Sequence, residues 1–243
     1  MIDLNKIYNE DCLETLFRLE DNSIKAVITS PPYNMNLRIR NGVYCSRQIV
    51  KEISTKYEDF SDNIPINEFY LQHKKILNEL IRVSPMVFYN VQFVTGSKRA
   101  FFKLIGDFSE QLKEIIVWDK INAQPAMGVG VLNSQYEVIM VFDKFHSIAR
   151  KFYDATFRGT ISNVWKIKRA KPKKGNGATF PEELVENILV NLVSKGGTIY
   201  DPFAGTGTTL IIAKKMGFNF LGSEISKKQC EQTEANLAER TIR

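Results

Sequence analysis

The amino-acid sequence predicts an α/β fold, an open and mainly parallel sheet with helices on both faces. Short apolar runs rich in Val, Ile and Phe alternate with longer segments at helical spacing along most of the 243 residues. Two loops of unusual composition follow such runs, one after Ile28 and one after Tyr200. In open parallel sheets, ligands sit at strand carboxyl ends, so both loops are candidate site loops.

The elements follow in order. Residues 4–8, "LNKIY", predict a short strand, and "CLETLFRLE" places Leu13, Leu16, Phe17 and Leu19 near helical spacing. "SIKAVITS" predicts the next strand. Residues 34–64 are polar, basic and without period, so a mobile loop is expected there. Phe69, Tyr70, Ile76, Leu77, Leu80 and Ile81 predict a helix over residues 67–83, stopped by Pro85. "MVFYNVQF" predicts a strand and residues 97–108 a helix. "EIIVWDK" and "QYEVIMVFDK" predict two strands joined by a glycine-containing loop. A polar, basic stretch runs to about residue 177. "PEELVENILVNLVS" predicts a helix with Pro181 at its first position. The end of the chain predicts strand, Gly-rich turn and helix, then "NFLGSEIS" as a strand and a closing helix. No linker or repeat divides the chain.

Composition excludes several classes. There is no 18-residue apolar run and no signal-like N-terminus, so a cytoplasmic protein without membrane association is expected. Cys12, Cys45 and Cys230 are odd in number and far apart, which argues against a disulfide framework. His73 and His146 have no metal-ligand spacing, so no metal is expected. The net charge of +6 hints at a polyanionic partner. Residues 166–177, "KIKRAKPKKGNG", hold Lys166, Lys168, Arg169, Lys171, Lys173 and Lys174 with no acid among them. Such a run is either a solvated loop or a phosphate-contacting segment. Arg38 and Arg40 follow the first site loop closely.

That first loop is "SPPYN". Pro31 and Pro32 have no N–H to donate and fix φ, so they end the strand and hold rigid carbonyls. The second loop is "DPFAGTGTT", residues 201–209. A phosphate-binding loop needs Gly-Lys-Ser/Thr, and Thr208 stands where the lysine would be. A dinucleotide fingerprint needs a third glycine, and Leu210 stands there. A third reading uses Asp201 as acceptor for the α-ammonium of an amino-acid ligand. Gly205 and Gly207 then let the backbone approach its carboxylate. Glu224, seventeen residues beyond Gly207, suits a ribose diol at the tip of the next strand. An amino acid joined to a nucleoside describes S-adenosylmethionine. A turn with no ligand is the remaining alternative.

Together, the two motifs resemble the amino-methylating DNA methyltransferases, which act on exocyclic nitrogens of cytosine or adenine. Ser30-Pro31-Pro32-Tyr33 is similar to the family's catalytic motif, and Asp201 through Thr208 to its cofactor motif. Catalytic motif first and cofactor motif last is the order of the beta subclass. The resemblance implies a Rossmann-like methyltransferase fold, with a mainly parallel seven-stranded sheet and one antiparallel strand. It implies one catalytic domain over residues 1–243, with a target-recognition segment at 145–177. It also implies catalytic roles for Ser30, Pro31, Pro32 and Tyr33. Cofactor contacts are implied for Asp11, Cys12, Phe180, Asp201, Phe203, Ala204, Gly205, Gly207, Thr208 and Glu224. It implies double-stranded DNA as the partner, contacted by Arg38, Arg40 and the basic run, with a cognate restriction endonuclease and a homodimer as further candidate partners. "NEDCLE" is similar to the family's Gly-Asp-Cys segment, with Glu10 in the glycine position and Asp11 toward the adenine.

Ser before Pro-Pro, and "ATFPEELVENIL" at 178–189, resemble cytosine-N4 members more than adenine-N6 members, although Asn176-Gly177 replace the usual His-Pro. Adenine-N6 methylation is the alternative. Glutamine or RNA guanine methylation is opposed by the N-terminal place of the catalytic motif. A non-catalytic nucleic-acid module is opposed by the intact cofactor motif. Cys12 and Cys45 are expected to be packed thiols, and Trp118 and Trp165 core aromatics.

Overall fold

The protein, seen as a computed structural model, is described over residues 2–34, 38–40, 43–45, 64–122, 129–170 and 181–239. Ten strands and six helices occur among these residues. The main sheet holds β1 (Lys6–Tyr8), β2 (Ala26–Thr29), β5 (Met86–Val91), β6 (Leu112–Asp119), β7 (Tyr136–Asp143), β8 (Val164–Lys166), β9 (Thr198–Asp201) and β10 (Asn219–Ser223). Their spatial order is β1-β10-β9-β2-β5-β7-β6-β8. Only β7 runs against the others, pairing antiparallel with both β5 and β6.

Two details go beyond the sequence expectation. The sheet has eight strands, because β8 adds to β6 in parallel, Trp118 opposite Trp165. The expected loop at 34–64 contains an antiparallel hairpin, β3 (Arg38–Arg40) with β4 (Val43–Cys45). Its remaining residues up to 63 lie outside the described residues, apart from Asn34.

The helices are α1 (Cys12–Phe17), α2 (Ile66–Val83), α3 (Lys98–Asp107), α4 (Glu182–Asn191), α5 (Thr208–Lys215) and α6 (Lys227–Glu239). Pro181 sits as the N-cap of α4, one position earlier than expected. The strand alternation sorts the core into two layers. Ala26 and Ile28 face α4, α5 and α6 in one buried cluster. Val27 between them joins Tyr89, Tyr200 and the apolar faces of α1, α2 and α3 in the other. Burial on both faces is why β2 and β5 are almost wholly apolar.

Chain direction sets the site. From β9 the chain passes through α5 to β10 on one side, and from β2 it passes through α2 to β5 on the other. The strand order therefore reverses between the adjacent strands β9 and β2. A crevice opens at the carboxyl ends of strands on either side of such a reversal, and open α/β sheets bind ligands there.

Candidate active site

Ser30 follows β2 directly and Asp201 closes β9, so the two motifs meet at this reversal. One hydrogen bond joins the strands there: Thr29 Oγ1 donates to Asp201 Oδ1 at 2.6 Å. The Phe203 N–H donates to the same oxygen at 3.1 Å. Asp201 is buried, and that burial pushes its carboxyl up to about 6, against the pull of these donors.

The Gly-rich turn is built by packing as well as by conformation. Gly207 has φ 79° and stands at the N-cap of α5, where it brings no side chain to cap the helix's first N–H groups. A Cβ there would lie 2.3 Å from Thr233 of α6. Gly205 has φ 52° and donates its N–H to Glu224 Oε2 at 2.8 Å. Glu224 Oε1 accepts from Ser226 N at 2.9 Å. Ala204 is buried, its N–H bonded to Ser223 O at 2.9 Å, and Thr208 opens α5.

The N-terminal segment reaches the same edge through β1, which pairs with β10. Asn9 Nδ2 donates to the carbonyls of Glu224 and Ile225, each at 2.9 Å. Asp11 caps α1, accepting from Leu13 N at 2.8 Å. Cys12 is buried, and its thiol is pushed up first by burial and then by Asp11. Glu10 binds Arg18 and Thr15.

The catalytic motif is latched from two sides. Asn34 takes a left-handed φ of 53° and exchanges two 2.9 Å hydrogen bonds with the backbone of Ile64. Its carbonyl oxygen stands where a Cβ on Gly96 would be, 2.5 Å away. Asn can adopt this conformation at small cost. Tyr33 turns its hydroxyl inward, 2.7 Å from Ser30 Oγ.

Sequence reasoning missed three residues around that hydroxyl. Asn90, on β5, donates from Nδ2 to Tyr33 Oη at 2.9 Å and to Glu137 Oε2 at 2.8 Å. Its Oδ1 is buried without a hydrogen-bond partner. Glu137, on β7, pairs with Lys120 at 3.3 Å. Burial, and then the Glu137 charge, hold the Tyr33 phenol well above its ordinary value. A polar residue inside an apolar strand run was the available signal for Asn90 and Glu137.

Of the basic residues, Lys166 ends β8 opposite Asp119, at the catalytic edge, and is exposed, as are Lys168 and Arg169 just beyond it. Arg38 and Arg40 lie on β3. Lys171, Lys173, Lys174 and Phe180 lie outside the described residues. Trp118 and Trp165 are core residues, as expected.

A model of the N6/N4 DNA methylase family matches residues 24–235. This chain belongs to that family. The family depends on S-adenosylmethionine as methyl donor. The chain is 26% identical to the Type II methyltransferase M.HinfI of Haemophilus influenzae, covering 97% of this chain and 69% of that protein. It is 24% identical to M.BglII of Bacillus subtilis, covering 93% of this chain and 66% of that protein. It is 23% identical to M1.MboII of Moraxella bovis, covering 96% of each. The chain thus spans about two thirds of the first two and nearly all of the third. Among solved structures, the PvuII DNA methyltransferase (cytosine-N4-specific) superposes with a TM-score of 0.68 at 16% identity, covering 96% of this chain and 89% of that one. The M1.HpyAVI complex with S-adenosylmethionine gives 0.61 at 19% identity, covering 96% and 99%. These likenesses establish the methyltransferase fold.

The site's donor set fits the cofactor. Asp201 is a carboxylate raised first by burial, which suits a partner that carries the opposite charge, such as an ammonium group. The uncapped first turn of α5 offers N–H groups for a carboxylate. Glu224 brings a second carboxylate to the next strand end.

Proposed function

We propose that this protein is a site-specific DNA methyltransferase that acts on the exocyclic N4 of a cytosine flipped out of double-stranded DNA, within a restriction–modification system. The observation that carries this reading is the Thr29–Asp201 hydrogen bond, which sets the catalytic and cofactor loops side by side.

In this reading, the cofactor supplies an activated methyl group held against Asp201, Glu224 and the Gly-rich turn. The chain's own residues prepare the amine. An aromatic amino nitrogen is a poor nucleophile because its lone pair is delocalised into the ring. Ser30 Oγ and the Pro31 carbonyl accept its two hydrogens, which draws the nitrogen toward tetrahedral geometry. The two prolines hold that carbonyl rigid, so no reorganisation is needed as charge develops. Flipping the base costs a few kcal/mol. Stacking on Tyr33 returns about 1–3 kcal/mol. Ser30 orients the amine rather than fully removing its proton, and proximity supplies much of the acceleration. Lys166, Lys168 and Arg169 stand at the same edge to meet phosphates, which give affinity without sequence information.

Cytosine is favoured by Ser30 in place of a carboxylate and by the likeness to a cytosine-N4-specific structure. Adenine N6 would use the same residues. A cognate endonuclease fits the Type II names of the relatives. The test is incubation of unmethylated DNA of varied sequence with methyl-tritiated cofactor. Label in the DNA supports the reading, and an absence of label on every DNA overturns it.

A further inference from the structure

A carboxylate that the methyl-transfer reading leaves unused stands behind Ser30. Glu137 begins near the start of β7, its side chain 12% exposed, with Oε1 paired at 3.3 Å to Lys120, 5% exposed. Its Oε2 lies 3.1 Å from Tyr33 Oη, and Tyr33 Oη lies 2.7 Å from Ser30 Oγ. Carboxylate, phenol and alcohol form one chain that ends on the catalytic hydroxyl.

The chemistry of each group dictates where the hydrogens lie. An ionised carboxylate only accepts. The Tyr33 phenol keeps its proton, because burial and the nearby carboxylate oppose its loss. Three acceptors lie in reach of its hydrogen: Ser30 Oγ at 2.7 Å, Glu137 Oε2 at 3.1 Å and the Asn90 backbone carbonyl at 3.5 Å. A charged acceptor forms the stronger bond, so the phenol donates to the carboxylate although the Ser30 oxygen is nearer. With its hydrogen committed, Tyr33 Oη accepts from Ser30. The Asn90 amide has two hydrogens and three oxygens in reach. Glu137 at 2.8 Å and Tyr33 at 2.9 Å are nearer than Ser30 at 3.3 Å. Turning that amide over would set Asn90 Oδ1 against the Glu137 carboxylate, so the orientation is settled by charge. Ser30 Oγ then has its hydrogen used inward and, even with the 3.3 Å contact from Asn90, keeps lone-pair capacity for a further donor.

We propose that Glu137, held by Lys120, is a positioning residue that orients the Tyr33 and Ser30 hydroxyls and so makes Ser30 Oγ an acceptor for an amino hydrogen of the target base. The inference rests on the methyltransferase reading. A hydroxyl is by itself ambivalent, able to donate or accept. The chain removes the ambivalence, so a target base with an amino group is accepted and one with a carbonyl at that ring position is refused.

Glu137→Gln tests this because the amide keeps the shape and reverses the chain. Its NH2 donates to Tyr33, Tyr33 donates to Ser30, and the Ser30 hydrogen turns toward the base. Tyr33→Phe instead cuts the chain and leaves the hydroxyl free to rotate. Single-turnover label transfer at saturating cofactor is expected to fall about tenfold or more in E137Q. A smaller fall is expected in Y33F, with cofactor affinity by calorimetry unchanged in both. Duplexes carrying a carbonyl in place of the labelled base's amino group should bind wild-type protein more weakly than the natural site, and E137Q should lose or reverse that preference. E137Q at the wild-type rate, an unchanged preference, or a rate that falls only in step with cofactor affinity overturns the proposal. Wild-type protein that labels no DNA is seen in the control and removes the underlying reading, and the proposal with it.

Discussion

Thr29 Oγ1 donates to Asp201 Oδ1 across 2.6 Å, linking the last residue of the catalytic strand to the last residue of the cofactor strand. The two are 172 positions apart in the chain. The hydrogen bond makes one site of two motifs, since Ser30 follows Thr29 and the Gly-rich turn follows Asp201. A displacement of either strand tip is thus transmitted to the other.

Asp201 gives the clearest pH dependence. Its carboxyl stands at about 6 in the folded, ligand-free chain, raised by burial from an ordinary 3.8. Between those values the native state holds more protons than the unfolded state, so stability falls as pH rises through the window. Each pKa unit is about 1.4 kcal/mol, so the penalty above pH 6 is on the order of 3 kcal/mol. Asp201→Asn should raise the melting temperature of the ligand-free protein at pH 8 and leave it little changed at pH 4. A cationic ammonium needs the ionised form, so cofactor affinity should weaken as pH falls below about 6. Calorimetry across pH 5–8 checks this, and D201N should bind weakly at every pH.

Gly207→Ala should be severe. It forces a side chain into a φ of 79° and sets a Cβ 2.3 Å from Thr233. Backbone strain alone costs of order 1–3 kcal/mol. The expected outcome is a lowered melting temperature and at least tenfold weaker cofactor binding by calorimetry.

Gly96→Ala separates the two halves of the site. Its Cβ would meet the Asn34 carbonyl at 2.5 Å, on the catalytic loop and away from the Gly-rich turn. Label transfer to DNA should fall by an order of magnitude or more. Cofactor affinity should stay within about twofold of wild type, a change of under 0.5 kcal/mol.

Lys168 and Arg169 should act through phosphates. The double substitution to Ala should weaken DNA binding about equally for all sequences. It should also reduce the slope of log affinity against log salt by roughly 2, as two phosphate contacts are lost. Fluorescence titration at several salt concentrations measures both.

The fold was largely legible because period and punctuation agree. The apolar runs of β2 and β5, and the 3.6-residue repeat of α2, each state their element without help from the rest of the chain. β8 was not legible, since three residues in polar surroundings become a strand only by pairing with β6. The hairpin of β3 and β4 likewise has no period long enough to read. At the site, Ser30, Tyr33, Asp201 and Gly207 carry their chemistry in short motifs. Asn90, Glu137 and Lys120 do not, because Asn90 on β5 and Glu137 on β7 meet Tyr33, and Lys120 just after β6 meets Glu137, only through the antiparallel pairing of β5, β7 and β6. Glu224 shows the opposite case. Its place at a strand tip was readable, and its hydrogen bonds to Gly205 and Ser226 were not.

The most direct measurement is mass spectrometry of the nucleosides released from DNA after incubation with the protein and S-adenosylmethionine. The account predicts N4-methylcytosine, absent when Ser30 is replaced by Ala. N6-methyladenine would contradict the assigned base, and a digest with no methylated nucleoside from any DNA would contradict the account as a whole.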